Sequence, residues 1–221
     1  MKAGRPAERI WRGPFEPGSG PAVVWIWRAI LVWFLAWSLV GLFVISLNIE
    51  LPGGAAADMI FMSLASVLIL METAGQRGPA RAAAAFAWIA VVSGAVETVG
   101  TLTGFPFGRY DYTGAFGWKL GGVLPITIPL AWWIIVLPLY RLSVERRPLG
   151  GAARYVLIPL SVSASAVWID LVLEPVAWIS RGYWLWEDGG PYYGVPLSNF
   201  IGWFATAWVL TRGLLLLERV R

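Results

Sequence analysis

Six long apolar segments decide what this chain can fold into. Only 14% of its 221 residues are charged and 58% are hydrophobic, whereas a soluble domain carries about 25% charged residues. A membrane-spanning helix needs about 20 mostly apolar residues, and it satisfies its backbone hydrogen bonds internally. The sequence therefore predicts an all-α integral membrane protein, a bundle of about six transmembrane helices. The predicted spans are residues 22–47, 58–74, 80–102, 122–142, 152–179 and 196–217.

Positive charge is distributed unequally between the two ends of these spans. With the N-terminus in the cytoplasm, 14 of the 17 Lys and Arg residues lie on the cytoplasmic side, as the positive-inside rule requires. The sequence therefore predicts cytoplasmic N- and C-termini in a multi-pass protein of the inner cell membrane. Residues 1–21 would form a cytoplasmic arm, 22–217 a single transmembrane domain and 218–221 a cytoplasmic tail.

The chain contains neither histidine nor cysteine. It therefore lacks the ligands of the usual zinc sites, a proximal ligand for haem, a histidine-box di-iron centre and a thiol nucleophile. Its only lysines, Lys2 and Lys119, lie outside the predicted spans, which argues against an opsin-type Schiff base. The net charge of +4 comes from cytoplasmic loops and does not indicate nucleic acid. We expect no metal or cofactor, and proton chemistry carried mainly by carboxyl groups and water.

Three carboxyl groups, those of Glu97, Asp170 and Glu174, lie inside apolar spans. An unpaired charge at the centre of a membrane helix costs about 2.5–3.5 kcal/mol on insertion scales, so such residues are usually paired or functional. The predicted topology places all three in the outer halves of their helices, beneath the outer loops 104–112 and 183–200. Asp170 and Glu174, four residues apart, share one helix face.

A purely structural role for these acids is the alternative. They could pair with Arg109 or Arg181, or accept hydrogen bonds from Asn199 and from hydroxyl groups. The aromatic residues of the outer loops have a similar alternative, since Trp and Tyr often form belts at the membrane interface.

Several segments around the acids resemble one family. They are similar to motifs of the membrane carotenoid-biosynthesis family that contains the carotenoid 1,2-hydratases of the bacterioruberin and γ-carotene pathways. The resemblance runs from about residue 94 to residue 217. At two positions the chain departs from the family pattern, with Ile169 where the pattern has Trp and Glu174 where it has Asp. The matching segments are Gly100–Thr113, Gly122–Trp132, Asp170–Pro175, Gly182–Trp186 and Tyr192–Trp203.

The resemblance implies hydration of the terminal C1–C2 double bond of an acyclic carotenoid end group, as in lycopene or γ-carotene. The residue types fit that reaction, because it needs an acid to protonate C2, water at the resulting C1 cation, and a base. A buried carboxyl group can stay protonated and act as the acid, while a second carboxylate acts as the base. Aromatic faces stabilise a cation by about 0.5–2 kcal/mol each.

These considerations give each candidate residue a role. Asp170 or Glu174 would be the general acid, and Glu97 its partner or the base. Tyr110, Tyr112 and Asn199 would position water, and aromatic residues would line the end-group pocket. The polyene would lie between helices or in the lipid bilayer. The candidates are Asp170, Glu174, Glu97 and Asp111 as catalytic residues, and Phe105, Phe107, Tyr110, Tyr112, Trp184, Trp186 and Asn199 as substrate-binding residues.

Two other functions remain open. A lycopene-cyclase-like enzyme would protonate the same end group but close a ring instead of adding water. A non-enzymatic membrane subunit would bind carotenoid without turnover. A homo-oligomer, or an association with other carotenoid enzymes, is compatible with each of these functions.

Overall fold

The computed structural model describes residues 20–47, 49, 54–146 and 149–219. In this part of the chain, six helices are long and apolar enough to cross a membrane, which confirms the predicted all-α membrane protein. The cytoplasmic orientation of the termini stays a prediction. The arm predicted for residues 1–21 falls outside the described residues except for Gly20 and Pro21. The helices are α1 (Pro21–Ser46), α2 (Gly54–Arg77), α3 (Pro79–Thr103), α4 (Thr127–Arg146), α5 (Gly151–Glu174) and α6 (Leu197–Leu217).

The fourth span begins later than predicted. We expected it at residue 122, but α4 starts at Thr127. The preceding residues form a small hairpin of two antiparallel strands, β2 (Lys119–Leu120) and β3 (Leu124–Pro125). Gly121 and Gly122 form its turn with φ angles of +58° and +74°, which glycine adopts readily. Hydropathy alone assigned residues 122–126 to the helix.

The chain divides into two compact units between Phe86 and Ala87. In the first unit, α1 packs on α2. The ring centroids of Phe34 and Phe61 are 5.2 Å apart, and the indole N–H of Trp37 donates to the carbonyl of Ala57 at 3.3 Å.

The second unit, from Ala87 onward, has a core built by α4, α5 and α6, with α5 packed against both other helices. The end of α3 that belongs to this unit joins the core through Trp88. Its indole N–H donates to the carbonyl of Leu210 at 3.0 Å, and Gly213 leaves room for its ring. The largest buried side chains of the core are Trp132, Trp133, Tyr140, Leu137, Ile158, Leu210 and Leu215.

A short antiparallel ribbon joins the loop after α3 to the loop after α5. Its strands are β1 (Tyr110–Tyr112) and β4 (Trp184–Trp186). Between α5 and β4 the helix continues as a π-helical turn, Pro175–Ser180, so the predicted fifth span at 152–179 matches α5 together with this turn. Such π turns frequently occur at functional sites, and Glu174 lies directly at the junction.

Candidate active site

Glu97 is buried near the end of α3, with 5% of its surface exposed. Its carboxyl group accepts three hydrogen bonds. The hydroxyls of Tyr110 and Tyr112 donate to Oε2 at 2.9 and 2.8 Å, and the indole N–H of Trp132 donates to Oε1 at 3.0 Å. A carboxylate offers about four acceptor positions, so three donors nearly saturate it.

Asp170 and Glu174 lie one helical turn apart on α5, and each is 1% exposed. Asn199, in the first turn of α6, bridges them. Its Nδ2 donates to Oδ2 of Asp170 at 2.8 Å and to Oε1 of Glu174 at 2.9 Å. The indole N–H groups of Trp184 and Trp186 donate to Oε2 of Glu174 at 3.3 and 3.1 Å.

The β1–β4 ribbon supplies donors to both sides of this site. Tyr110 lies opposite Trp186, and Tyr112 lies opposite Trp184. The ring centroids are 5.2 Å apart in the first pair and 6.0 Å apart in the second. Because alternate side chains of a strand point to the same face, two tyrosines and two tryptophans together form one aromatic wall, from which β1 donates to Glu97 and β4 to Glu174.

The same alternation separates Asp111 from the other predicted acids. Asp111 is the middle residue of β1, is exposed, and lies opposite Leu185. Both side chains are on the other face of the ribbon from the tyrosines. The structure therefore brings Glu97, Asp170 and Glu174 into one region and leaves Asp111 outside it.

The two phenylalanines predicted to line the pocket lie in different environments. Phe105 is 74% exposed, whereas Phe107 is 2% exposed. The Phe107 ring fits between Gly100 of α3 and Gly202 of α6, where a Cβ atom would lie 2.7 and 2.5 Å from ring carbons. It also packs edge-on against Tyr110, with centroids 6.2 Å apart. Phe107 thus supports a donor of Glu97, and Phe105 is at the surface.

Every hydrogen-bond donor to the three buried acids within the described residues is neutral: a phenol, an indole or an amide. Asn199 and two hydroxyl groups donate to the acids, as expected if the acids had a purely structural role. Arg109 and Arg181, which were also considered as partners, do not bond to them within the described residues. The β1–β4 ribbon links Glu97 to the pair of Asp170 and Glu174, because its tyrosines donate to Glu97 and its tryptophans donate to Glu174. Oδ1 of Asp170 is buried and has no hydrogen-bond partner in the described part of the chain.

The two tyrosines of β1 are held in their neutral form. Burial raises the pKa of Tyr110 and Tyr112 well above the ordinary value of about 10, and the charge of Glu97 raises both further. The phenols therefore keep their protons throughout the neutral range and act as donors to Glu97, not as bases.

Across residues 20–47, 49, 54–146 and 149–219, no three acidic side chains are grouped closely enough to hold a metal ion. The arrangement instead offers carboxyl groups of different surroundings beside aromatic faces. A nearly saturated carboxyl (Glu97) shares the ribbon with a bridged pair (Asp170 and Glu174), one oxygen of which, Oδ1 of Asp170, has no hydrogen-bond partner among the described residues. Such a site is suited to moving protons to and from an apolar molecule.

Trp132 is the site residue that sequence reasoning missed. It is 2% exposed, donates to Glu97, and packs against Trp203 with ring centroids 4.5 Å apart. It belongs to a matching segment of the family resemblance, but nothing in its spacing from Glu97 indicates the contact. The one available signal was an indole within an apolar span, which needs a polar partner when buried.

The helices and the buried acids define a multi-pass membrane protein with a carboxyl site. The chain belongs to the family described as carotenoid biosynthesis protein, whose sequence model matches residues 54–219. It is 34% identical over 130 residues to the bisanhydrobacterioruberin hydratase of Haloarcula japonica. The aligned part is 58% of this chain and 43% of that relative, so the match covers less than half of the relative's length. No solved structure matches the chain. Family membership supports a role in modifying carotenoids.

Proposed function

We propose that this protein hydrates the terminal C1–C2 double bond of an acyclic carotenoid end group, giving a tertiary alcohol without a cofactor. The observation that carries the proposal is the buried Asp170–Asn199–Glu174 bridge, which shares the β1–β4 ribbon with a third buried acid, Glu97. The similarity to a hydratase named for a carotenoid supports the same reaction class.

In the proposed reaction the acid pair on α5 supplies the first proton. Asp170 is the better candidate for the donor, because its Oδ1 has no hydrogen-bond partner among the described residues. The π electrons of the double bond form a new C–H bond at C2, and the O–H bond of the acid breaks. This leaves a tertiary cation at C1 and a carboxylate on Asp170.

Water then completes the addition. Its oxygen forms a bond to C1, and one of its protons passes to a carboxylate. Glu97 is the proposed base, since three of its acceptor positions are taken by protein donors and about one remains for water. Return of that proton to Asp170 closes the cycle, so the net reaction consumes one water molecule.

The aromatic wall of Tyr110, Tyr112, Trp184 and Trp186 would stabilise the cation. A cation over an aromatic face gains about 0.5–2 kcal/mol, more when it is desolvated. The phenols and indoles also donate their polar hydrogens to the acids. Their ring faces therefore remain available to an apolar end group. The polyene beyond the end group would lie between helices or in the bilayer, with the site toward the outer face and both termini in the cytoplasm.

The test is expression in a bacterium that makes lycopene or γ-carotene, followed by mass analysis of the pigments. We expect a product about 18 mass units heavier, because water is added. Asp170→Asn, Glu174→Gln and Glu97→Gln should each abolish it, whereas Glu187→Gln, a matched change of an exposed acid next to Trp186, should not. Near-normal hydration by all three core variants would overturn the acid mechanism.

The same experiment separates the two rival functions. The aromatic wall could also shelter the cation from water, in which case ring closure would give an isomeric product of unchanged mass. Pigment that co-purifies with the protein without any change in mass would identify a carotenoid-binding subunit.

A further inference from the structure

A proline at the end of α5 leaves one backbone carbonyl without its helical donor. Pro175 has no N–H group, so the carbonyl four residues earlier, that of Leu171, loses the hydrogen bond that a regular helix would provide. The hydroxyl of Tyr192 donates to this carbonyl at 2.7 Å. The bond joins the last turn of α5, which carries Asp170 and Glu174, to the segment just before α6.

A second bond joins the same two segments. The indole N–H of Trp178, in the π-helical turn, donates to the carbonyl of Tyr193 at 2.9 Å. Gly194, with φ +83°, lies against the Trp178 ring, where a Cβ atom would be 3.2 Å from a ring carbon. Tyr193 itself has φ +50°, a strained conformation for a residue with a side chain, which persists only where the surroundings fix it.

The turn that contains Tyr192 leads directly into the site. The N–H of Val195 donates to the carbonyl of Tyr192 at 2.8 Å and closes the turn. Pro196 follows, and its carbonyl accepts from the N–H of Asn199 at 3.0 Å. From Asn199 the side chain reaches both acids of α5. A short path of seven residues, closed by two backbone hydrogen bonds, therefore connects Tyr192 to the bridging amide of Asn199.

We infer that Tyr192 is a positioning residue of the active site, one that acts through Leu171 and Asn199. Its hydroxyl donates to the carbonyl of Leu171, which Pro175 leaves without a helical donor. This bond fixes the start of α6 relative to α5, in the position where Asn199 bridges Asp170 and Glu174. Tyr192 donates to neither acid, which distinguishes it from the catalytic residues. The inference rests on the proposed function, because it assigns a task to Tyr192 in that reaction.

Tyr192→Phe removes the hydroxyl and keeps the ring, which packs edge-on against Tyr193 and Phe200 at centroid distances of 4.9 and 5.6 Å. We expect a loss of about tenfold or more in hydrated product per folded protein, since small misplacements of catalytic groups cost that much. The pH profile of hydration should shift as well, because Asn199 would no longer bridge the acids equally. Tyr193→Phe, at the neighbouring 63% exposed position, is the matched control and should leave rate and profile unchanged.

A second variant tests the mechanism of positioning. Pro175→Ala restores an N–H that can donate to Leu171, so Tyr192→Phe should cost much less in the Pro175→Ala background than alone. If Tyr192→Phe matches the wild type, or lowers only the amount of folded protein without moving the pH profile, the positioning role is overturned. Failure of both the single and the double variant to accumulate would assign the hydroxyl to folding and also overturn it. Absence of hydrated product from the wild type would instead overturn the proposed function, together with this role.

Discussion

Tyr110 and Trp186 lie opposite each other on the β1–β4 ribbon, and each donates a hydrogen bond to a different buried acid. Tyr110 donates to Glu97 at 2.9 Å and Trp186 to Glu174 at 3.1 Å, while their ring centroids are 5.2 Å apart. The ribbon therefore couples the orientation of an acid on α3 to that of an acid on α5. A shift of one strand along the other would therefore break the hydrogen bonds to Glu97 and to Glu174.

Replacement of Trp186 by Phe should reveal this coupling. The variant keeps an aromatic face but loses the N–H that donates to Glu174, so we expect hydrated product to fall about 100-fold, the order observed when one preorganised donor is removed. Trp118→Phe, at a 75% exposed position, controls for the chemical change. Pigment mass analysis, normalised to protein amount, gives the measurement, and equal activity of the two variants would contradict the prediction.

Gly100→Ala should disturb the site although alanine favours helix. The added Cβ would lie 2.7 Å from a ring carbon of Phe107 and 2.9 Å from the hydroxyl of Tyr110, so these side chains or the helix must shift, which disturbs the hydrogen bond from Tyr110 to Glu97. We expect a strong loss of hydration and a destabilisation of about 1–3 kcal/mol, as for other overpacked cores. Gly114→Ala, where a Cβ meets nothing within 4 Å, is the control. Thermal unfolding in detergent and product analysis together decide it.

The buried tyrosines predict a loss of stability at alkaline pH. The pKa values of both phenols are raised in the folded state. Their contribution to the free energy of unfolding is therefore complete below the pKa of an unfolded tyrosine, about 10, and decreases as the pH rises above it. Each phenol should cost about 1.4 kcal/mol per pH unit in that range. Unfolding midpoints measured from pH 8 to 11 should fall less steeply in Tyr110→Phe and Tyr112→Phe. Identical slopes in wild type and variants would be evidence against buried, neutral phenols.

The first half of α5 contains a second proline, Pro159, and a side chain donates to the carbonyl that this proline frees. Pro159 frees the carbonyl of Tyr155, and Nη1 of Arg212 donates to that carbonyl at 2.7 Å. Arg212→Met should therefore lower stability by about 1 kcal/mol, the usual net contribution of one hydrogen bond, since the bond to the Tyr155 carbonyl is only partly buried, without changing the pH profile of hydration. In a Pro159→Ala background the same change should cost less. A changed pH profile in Arg212→Met would mean that the two ends of α5 are not independent.

Asp111→Asn should hydrate at nearly the wild-type rate, because Asp111 is exposed on the face of the ribbon away from the three buried acids. Product analysis beside Asp170→Asn, which makes the same chemical change in a buried setting, checks this. Loss of activity in both variants would return Asp111 to the set of catalytic candidates.

The sequence predicted the parts of the molecule that depend on local patterns. The six helices follow from segment length and hydropathy, and the pairing of Asp170 with Glu174 on one face follows from helical spacing. The ribbon could not be predicted, because β1 and β4 are each three residues long and lie more than 70 residues apart. Without the ribbon, neither the outward direction of Asp111 nor the two indole donors to Glu174 could be derived.

Trp132 and Phe105 illustrate the same limit. Whether an aromatic side chain in an apolar sequence bonds an acid or faces outward depends on which helix packs beside it. Trp132 became a site residue only through contact between α4 and α3, and Phe105 an exposed one only through the path of the loop after Gly104.

The order in which the donors occur along the chain has a consequence for biogenesis. Glu97 is followed by all three of its donors within 35 residues, so its environment can be completed while synthesis continues. The donors to Asp170 and Glu174 come later in the chain than the acids themselves. Trp184 and Trp186 donate to Glu174, and Asn199, at the start of α6, donates to Asp170. A nascent chain therefore has to hold at least one acid without a donor, Asp170, near the membrane until α6 emerges from the ribosome.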